Sequence, residues 1–415
     1  MKFNNFAFVN LMEKIIGPIN RIKFNHLCLI MITLAICIQR LTIAVGNVFY
    51  AFAIIFFTID TYHRYRSGEK LFLPIQIKRY FLIYVFFALM VLPSAIFSLN
   101  TEYSFFKYID YFVLRFFVLI ILIFLKVDNE AIKKALFFFI VFMAIDGIAT
   151  LAERFITQAS RAQGLGDGWL RHASIVATVF PASIILWISQ KKYTLYKNWL
   201  FFCAVCIVLG AIASGTRSSW VGILAVMPFV LYQGAKWSPK KCFALVAIFI
   251  CITGTIVATP QLQQRAASIA NITTDRSNGD RIEAWKSATV MVREKPIIGY
   301  GILQGGKVYL QNYRTAADTQ GLGHFHNNYV QTVVDSGFMG FIGLIVFIIY
   351  SLWIFRRWNC PYSLIGFCAW IGFIVVGFFD YTLGMSAAVK TLWFITGCSL
   401  RLYEDYNGPL VKTTF

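Results

Sequence analysis

The chain has 415 residues, of which 58% are hydrophobic and 17% aromatic, while only 14% are charged. An ordinary soluble domain carries roughly 25% charged residues, so this composition excludes a water-soluble enzyme and indicates that lipid surrounds most of the chain. The 38 Lys and Arg residues exceed the 19 Asp and Glu residues, giving a net charge of +19. In a membrane protein this excess is typical of cytoplasmic loops, and no basic run with interleaved aromatics outside an apolar span indicates nucleic-acid binding.

Apolar runs follow one another along the whole chain. A helix that crosses a bilayer needs roughly 20 apolar residues, and about twelve runs approach or meet that length. Their approximate extents are 24–39, 41–59, 80–99, 111–125, 135–151, 174–189, 199–213, 219–233, 242–259, 329–355, 361–380 and 385–401. The sequence therefore predicts an all-α polytopic membrane protein with about twelve transmembrane helices.

Positive charge is distributed unequally between the connecting loops. If the N-terminus is cytoplasmic, the short inner loops nearly all carry two or more cations, such as Lys191 with Lys192 and Arg356 with Arg357. This is the positive-inside pattern, and it places both termini in the cytoplasm. On the outer side the segment 260–328 is too long to be a simple connector, and loops held on a rigid scaffold are where function concentrates. We divide the chain into helices 1–9 (1–259), a large outer loop (260–328) and helices 10–12 with the C-terminus (329–415).

A helix is predicted inside the large loop. Asp280 is a candidate N-cap with Glu283 three residues later, and apolar residues recur at helical spacing before Pro296 ends the segment. A helix over about 281–294 would place Arg281 in its first turn, where the helix dipole already favours an anion. The alternative is an ordinary surface arginine on an amphipathic helix.

A second arginine lies in a polar turn between two apolar runs. The turn Ser214-Gly215-Thr216-Arg217-Ser218-Ser219 brings a guanidinium and several hydroxyls to the outer membrane face. Arg217 could simply reach the lipid headgroups. Arginine is nevertheless suited to bidentate phosphate recognition, and together Arg217 and Arg281 suggest a diphosphate clamp.

Two of the five histidines stand directly before the run that opens at Tyr329. His324 and His326 belong to the stretch Gly323-His324-Phe325-His326-Asn327-Asn328. Asn327 or Asn328 can cap the following helix, so His326 would lie at a helix N-terminus, which favours a neutral ring that can act as a base. A structural histidine is the alternative. No nearby Asp, Glu or Cys completes a metal ligand set, so we predict no metal and no cofactor.

Three segments together resemble the bacterial O-antigen ligase and O-antigen polymerase superfamily. They are Ala213-Ser214-Gly215-Thr216-Arg217-Ser218-Ser219-Trp220, Lys295-Pro296-Ile297-Ile298-Gly299-Tyr300-Gly301, and His326-Asn327-Asn328-Tyr329 with Asp335-Ser336-Gly337-Phe338-Met339-Gly340. The match covers about residues 200–355. The resemblance implies an integral-membrane, GT-C-like glycosyltransferase in the bacterial inner membrane. It would take a glycan from undecaprenyl diphosphate and act, without a metal, at the periplasmic face.

The resemblance also implies roles for individual residues. Arg217 and Arg281 would hold the donor diphosphate, and His326 would activate the acceptor hydroxyl. This agrees with the chemistry of the residues, since displacement at a sugar carbon needs a base and a charge partner for the leaving group. The predicted further contributors are Arg265 and Arg276 in the anion site, Asp380 as an orienting group, Trp285 and Tyr300 as wall residues, and His324 and Asn327 beside the base.

Three functions remain open at the level of the sequence. A ligase would transfer the finished O-antigen chain to the lipid A core oligosaccharide, and this is the interpretation we favour. A polymerase would use the same donor but extend another lipid-linked repeat unit. A flippase, from a different class, would need buried cations along several spans, and the apolar runs show mainly Arg115 and Asp146 as interior charges.

Overall fold

The structure of the protein is a computed structural model, which describes residues 23–69, 73–159, 161–166, 168–189, 195–233, 246, 249–250, 252–270, 276–358 and 360–407. Within these residues every regular element is a helix and no strand is present, which confirms the predicted all-α class.

The described helices are numbered here in chain order. The first nine are α1 (Phe24–Leu41), α2 (Ile43–Arg66), α3 (Ile75–Ile96), α4 (Thr101–Ile109), α5 (Phe117–Phe124), α6 (Asn129–Thr157), α7 (Trp169–Ser189), α8 (Leu195–Ala213) and α9 (Arg217–Gln233). The remaining ones are α10 (Pro260–Ala270), α11 (Arg276–Glu294), α12 (Gly305–Val308), α13 (Asn328–Ile354), α14 (Pro361–Val376) and α15 (Ser386–Asn407). Short π-helical turns occupy Asp110–Leu114 and Tyr309–Tyr313, and a 3-10 turn occupies Thr382–Gly384.

Six of the described helices are long and apolar enough to cross a membrane: α1, α2, α3, α6, α7 and α13. Shorter apolar helices lie at Asn198–Ala213, Arg217–Tyr232 and Pro361–Val376. The chain is therefore a helical membrane protein, but the predicted count of twelve spans is not confirmed. The predicted span 111–125 is not one regular α-helix, because a π-helical turn precedes the short helix α5. The predicted span 242–259 lies partly outside the described residues, which include 246, 249–250 and 252–259 of it.

Close helix contacts in the bundle depend on small residues. Helix α6 packs along α8, and Gly147 of α6 lies against Gly210 of α8. A Cβ atom added at Gly147 would lie 2.3 Å from the carbonyl oxygen of Cys206. Lipid gives helices no hydrophobic reason to associate, so this close backbone approach supplies packing contacts that larger residues would prevent.

The bundle buries more charge than the sequence analysis expected. Besides Arg115 and Asp146, the side chains of Arg40, Arg154 and Lys390 are buried. They bond to protein groups: Arg40 Nε lies 2.7 Å from Asp146 Oδ2, and Lys390 Nζ donates to Asn47 over 3.0 Å. Mean hydropathy over a span hides a single cation, so these three side chains could not be recognised as buried from the sequence pattern.

Helix α13 is interrupted near its first third, and the interruption anchors the large loop. Gly337 has a φ of +60°, and the break frees backbone groups that the segment 295–301 then satisfies. The bonds run from Tyr300 N to Val334 O (3.0 Å), Gly301 N to Asp335 O (2.8 Å), Phe338 N to Pro296 O (2.7 Å) and Met339 N to Ile297 O (3.2 Å). Two segments that carry the sequence resemblance thus bind one another directly.

The large loop has a small core of its own at one end of the bundle. We call this end of the bundle the loop face. Its buried apolar residues are Ala284, Ala288, Met291, Tyr300, Val308, Tyr309, Phe325 and Val334. Helix α11 begins at Arg276, five residues before the predicted start, so the expectation that Asp280 caps it is wrong. The Asp280 carboxylate instead accepts hydrogen bonds from the backbone N and the hydroxyl of Thr319, at 2.9 and 3.1 Å. Arg281 accordingly lies beyond the first turn, and the dipole argument made for it does not hold.

Candidate active site

One cavity of about 610 Å³ opens at the loop face. This volume is in the range of small-molecule binding sites. Separate parts of the chain supply its walls: the turn before α9, helix α11, the stretch before α13, and the turn after α14. The polar lining residues are Arg161, Thr216, Arg217, Ser218, Asn278, Arg281, Gln320, His326 and Asp380. The cavity therefore joins residues that are far apart in sequence.

His326 lies at the entry to α13 in an unusual backbone conformation. Its φ is +47°, which is uncommon for a residue with a side chain. The next residue, Asn327, caps α13 by accepting hydrogen bonds from the backbone N of Tyr329 (2.8 Å) and Val330 (3.1 Å). Asn327 also donates to the carbonyl of Phe378 over 3.0 Å. The cap and this bond fix the backbone beside His326 and therefore the position of its ring. A positive φ in a residue with a side chain is a backbone strain that is often found at functional sites.

Asp380 is the polar centre of the site. It is only 3% exposed, and its Oδ1 lies 3.3 Å from His326 Nδ1. Its other oxygen, Oδ2, accepts a hydrogen bond from Ser218 Oγ over 2.9 Å, and Arg281 Nη2 lies 3.8 Å from Oδ1. A carboxylate beside Nδ1 favours the tautomer that carries its proton there, which leaves Nε2 as the basic nitrogen.

Three described arginines line the cavity. Arg217 donates from Nη2 to Asn278 Oδ1 on α11 over 3.3 Å, and Arg281 is placed by α11 itself. The third, Arg161, lies between α6 and α7 and was missed in the sequence analysis, because nothing in its local pattern separates it from other loop arginines. The side chains of Arg265 and Arg276 lie outside the described residues.

His324 forms a second ring beside His326. The two ring centroids are 4.1 Å apart, and the ring of Tyr381 lies 5.9 Å from that of His324. Burial, and next the neighbouring His326, lower the pKa of His324 to about 4. His324 is therefore neutral at physiological pH and adds no positive charge next to His326.

The two predicted wall residues have different positions. Trp285 lines the cavity, and its indole Nε1 donates to the carbonyl of Phe325 over 2.8 Å, directly beside His326. Tyr300 is buried in the loop core instead of lining the cavity, so its expected wall role is wrong. Its hydroxyl donates to Glu294 over 3.2 Å and lies 3.1 Å from the hydroxyl of Tyr313. Burial and these neighbours raise the pKa of Tyr300.

The arrangement joins a base-type histidine, a buried carboxylate and several guanidiniums around one concave space. Such a set can take a proton from a hydroxyl and stabilise a departing anion. Among the residues that the structure describes, no group of three or more His, Cys, Asp or Glu side chains is placed to hold a metal ion.

Fold and site together define the class of this protein: it is a helical membrane protein with a cavity at one face that arginines and a histidine line. Residues 201–345 match the O-antigen ligase family model, which confirms the resemblance noted in the sequence over that part of the chain. A "Putative polysaccharide ligase" of Rickettsia conorii is 26% identical over 230 residues, covering 51% of this chain and 52% of that protein. An "Uncharacterized protein" of Haemophilus influenzae is 26% identical over 201 residues, covering 44% and 50%. The chain thus spans about half the length of the curated relatives it matches.

Proposed function

We propose that the protein is an O-antigen ligase that transfers a glycan from undecaprenyl diphosphate to the lipid A core oligosaccharide. The reaction takes place at the periplasmic face of the bacterial inner membrane, with both chain termini in the cytoplasm. The observation that carries the proposal is the pairing of His326 with the buried Asp380 in the same cavity as Arg217 and Arg281. The family match over residues 201–345 supports the same class of reaction.

The transfer is a single displacement at the anomeric carbon of the donor sugar. An acceptor hydroxyl oxygen forms the new bond to that carbon while its proton passes to Nε2 of His326. The bond from the carbon to the diphosphate oxygen breaks, and its electron pair leaves with the diphosphate, so the anomeric configuration inverts. Asp380 stabilises the imidazolium that forms, because its carboxylate already lies 3.3 Å from Nδ1.

The leaving diphosphate is stabilised by the arginines without a metal ion. Arg217 and Arg281 stand on different elements of the cavity, the start of α9 and helix α11, so they can engage the two phosphoryl groups of one diphosphate. Arg161 adds a third guanidinium from the connection between α6 and α7. Guanidiniums form charge-assisted, often bidentate bonds with phosphate oxygens, which are about twice as strong as bonds between neutral groups.

The cavity wall also fits a lipid-linked donor. Leu170, Val221, Ile282, Leu322 and Phe379 line it alongside the polar residues. An amphiphile can therefore place its diphosphate among the arginines while its apolar chain stays in contact with apolar side chains and lipid.

The test is genetic and uses the protein's own host. The gene is deleted and restored as wild type or as His326→Ala, and the lipopolysaccharide and the undecaprenyl-linked glycans are separated on gels. We expect His326→Ala, at equal expression, to lose all core-attached O-antigen while long lipid-linked chains accumulate. A core that still carries one repeat unit without a ladder would identify a polymerase instead. Loss of periplasmic lipid-linked glycan would identify a flippase, and a normal profile would remove His326 as the base.

A further inference from the structure

The connection between α6 and α7 is held by charged side chains that do not line the cavity. We call residues 158–168, without the undescribed 160 and 167, the α6–α7 loop. Glu153 Oε2 accepts the backbone N–H groups of Gln163 and Gly164, each over 2.7 Å. Asp146 Oδ1 accepts the backbone N–H of Leu165 over 2.9 Å, and Arg40 donates to the carbonyl of Gln163. Backbone groups of the loop that lack a helical partner thus bond to side chains of α1 and α6.

Arg154 connects this loop to the turn that carries Arg217. Its side chain is 1% exposed; Nε donates to the carbonyl of Ala213 over 2.8 Å, and Nη1 donates to the carbonyl of Ala159. Ala213 is the last residue of α8, four residues before Arg217, and Ala159 lies two residues before Arg161. One buried guanidinium therefore bonds both backbone segments that lead to cavity cations.

We propose that Arg154 is a positioning residue that fixes the separation of Arg161 and Arg217, and thereby adapts the cavity to a diphosphate group. The proposal rests on the proposed function, in which these two guanidiniums bind the donor. Arginine suits the task because its planar fork donates in several directions at once, while a lysine ammonium is a compact point charge. A cation is also favoured at the C-terminus of α8, where carbonyl groups lack helical partners.

The experiment measures binding of two defined lipids to the protein in nanodiscs. Undecaprenyl diphosphate and undecaprenyl monophosphate are titrated against wild type, Arg154→Gln, Arg154→Lys, Arg161→Ala and the double variant Arg154→Gln with Arg161→Ala. The matched control is Lys390→Gln, which removes a buried cation that bonds Asn47 and is not among the cavity-lining residues. Thermal denaturation of each variant reports the cost to folding separately.

We expect Arg154→Gln to weaken diphosphate binding about tenfold, the effect of one lost charge-assisted contact, and monophosphate binding by much less. The diphosphate affinity of Arg154→Lys should fall between those of wild type and Arg154→Gln. Lys390→Gln should change the affinity for neither lipid. In the Arg161→Ala background, Arg154→Gln should reduce diphosphate affinity less than it does alone, because one of the two guanidiniums that Arg154 positions is already absent.

Equal losses of affinity for both lipids, or full additivity with Arg161→Ala, would overturn the proposal. So would failure of both Arg154 variants to fold, since the residue would then serve the bundle as a whole. If wild type binds the diphosphate but transfers no glycan, the proposed function fails and the positioning role stands.

Discussion

Replacing Asp380 by asparagine is the substitution that most sharply separates the chemistry of the site from its shape. Asparagine keeps the size of the side chain but removes the charge that faces His326 and Arg281. Its carbonyl can still accept from Ser218, whose hydroxyl lies 2.9 Å from Oδ2 in the wild type. The variant therefore tests whether the carboxylate stabilises an imidazolium during the transfer.

The magnitude follows from the separation and burial of the two groups. At an effective dielectric constant of about 20, unit charges 4 Å apart attract by about 4 kcal/mol. Asp380 lies 3.3 Å from His326 Nδ1, but Arg281 at 3.8 Å already offsets part of its charge. Taking about 3 kcal/mol for the remaining attraction, we expect kcat to fall about 10²-fold.

The assay is transfer by purified protein at saturating donor and acceptor, so that kcat is measured. Asp110→Asn is the control, because it breaks a carboxylate–arginine pair of 2.7 Å with Arg115 that does not line the loop-face cavity. It should lower stability and leave kcat nearly unchanged. A kcat for Asp380→Asn within threefold of wild type, with the control behaving as stated, would refute the electrostatic role of Asp380.

Three further outcomes are expected. Gly337→Ala should lower the free energy of unfolding by more than about 2 kcal/mol, since its φ of +60° disfavours a side chain and the new Cβ would lie 2.2 Å from backbone atoms of Ile297; an unchanged melting temperature would contradict this. Trp285→Phe loses the 2.8 Å bond to the Phe325 carbonyl and should reduce kcat about tenfold with little change in folding, as measured by transfer and melting together. His324 releases its proton on folding because its pKa falls from 6.5 to about 4, so stability decreases as the pH drops from 6.5 toward 4. His324→Gln should remove about 2 kcal/mol of the loss in unfolding free energy between pH 7 and pH 5, and an unaltered pH dependence would contradict this.

Local sequence patterns were sufficient to predict part of the candidate active site. The cap at Asn327 depends on backbone N–H groups only two and three residues later, so the start of α13 is predictable to within a residue. Arg217 stands in a polar stretch between two apolar runs, and its position at the start of α9 follows from hydropathy alone. These features depend on neighbours within a few positions.

Other features depend on contacts between distant parts of the chain. Asp280 has the local pattern of an N-cap, yet its carboxylate bonds Thr319, 39 residues away, and the helix begins earlier. Arg161 enters the cavity only because α6 and α7 bring it there. Arg154 looks like a helix-end cation in the sequence, whereas its role depends on carbonyl groups from two separate segments. Such pairings require the three-dimensional arrangement and could not be predicted from spacing.

Reconstituted transfer tests the central claim most directly. Purified wild type and His326→Ala are placed in liposomes with undecaprenyl-diphosphate-linked O-antigen and lipid A core oligosaccharide, and the core-attached product and released undecaprenyl diphosphate are quantified. We expect wild type to form both in equal amounts, and His326→Ala to bind the donor while forming neither above background. Product formation by His326→Ala at the wild-type rate would contradict the assignment of His326 as the base that activates the acceptor.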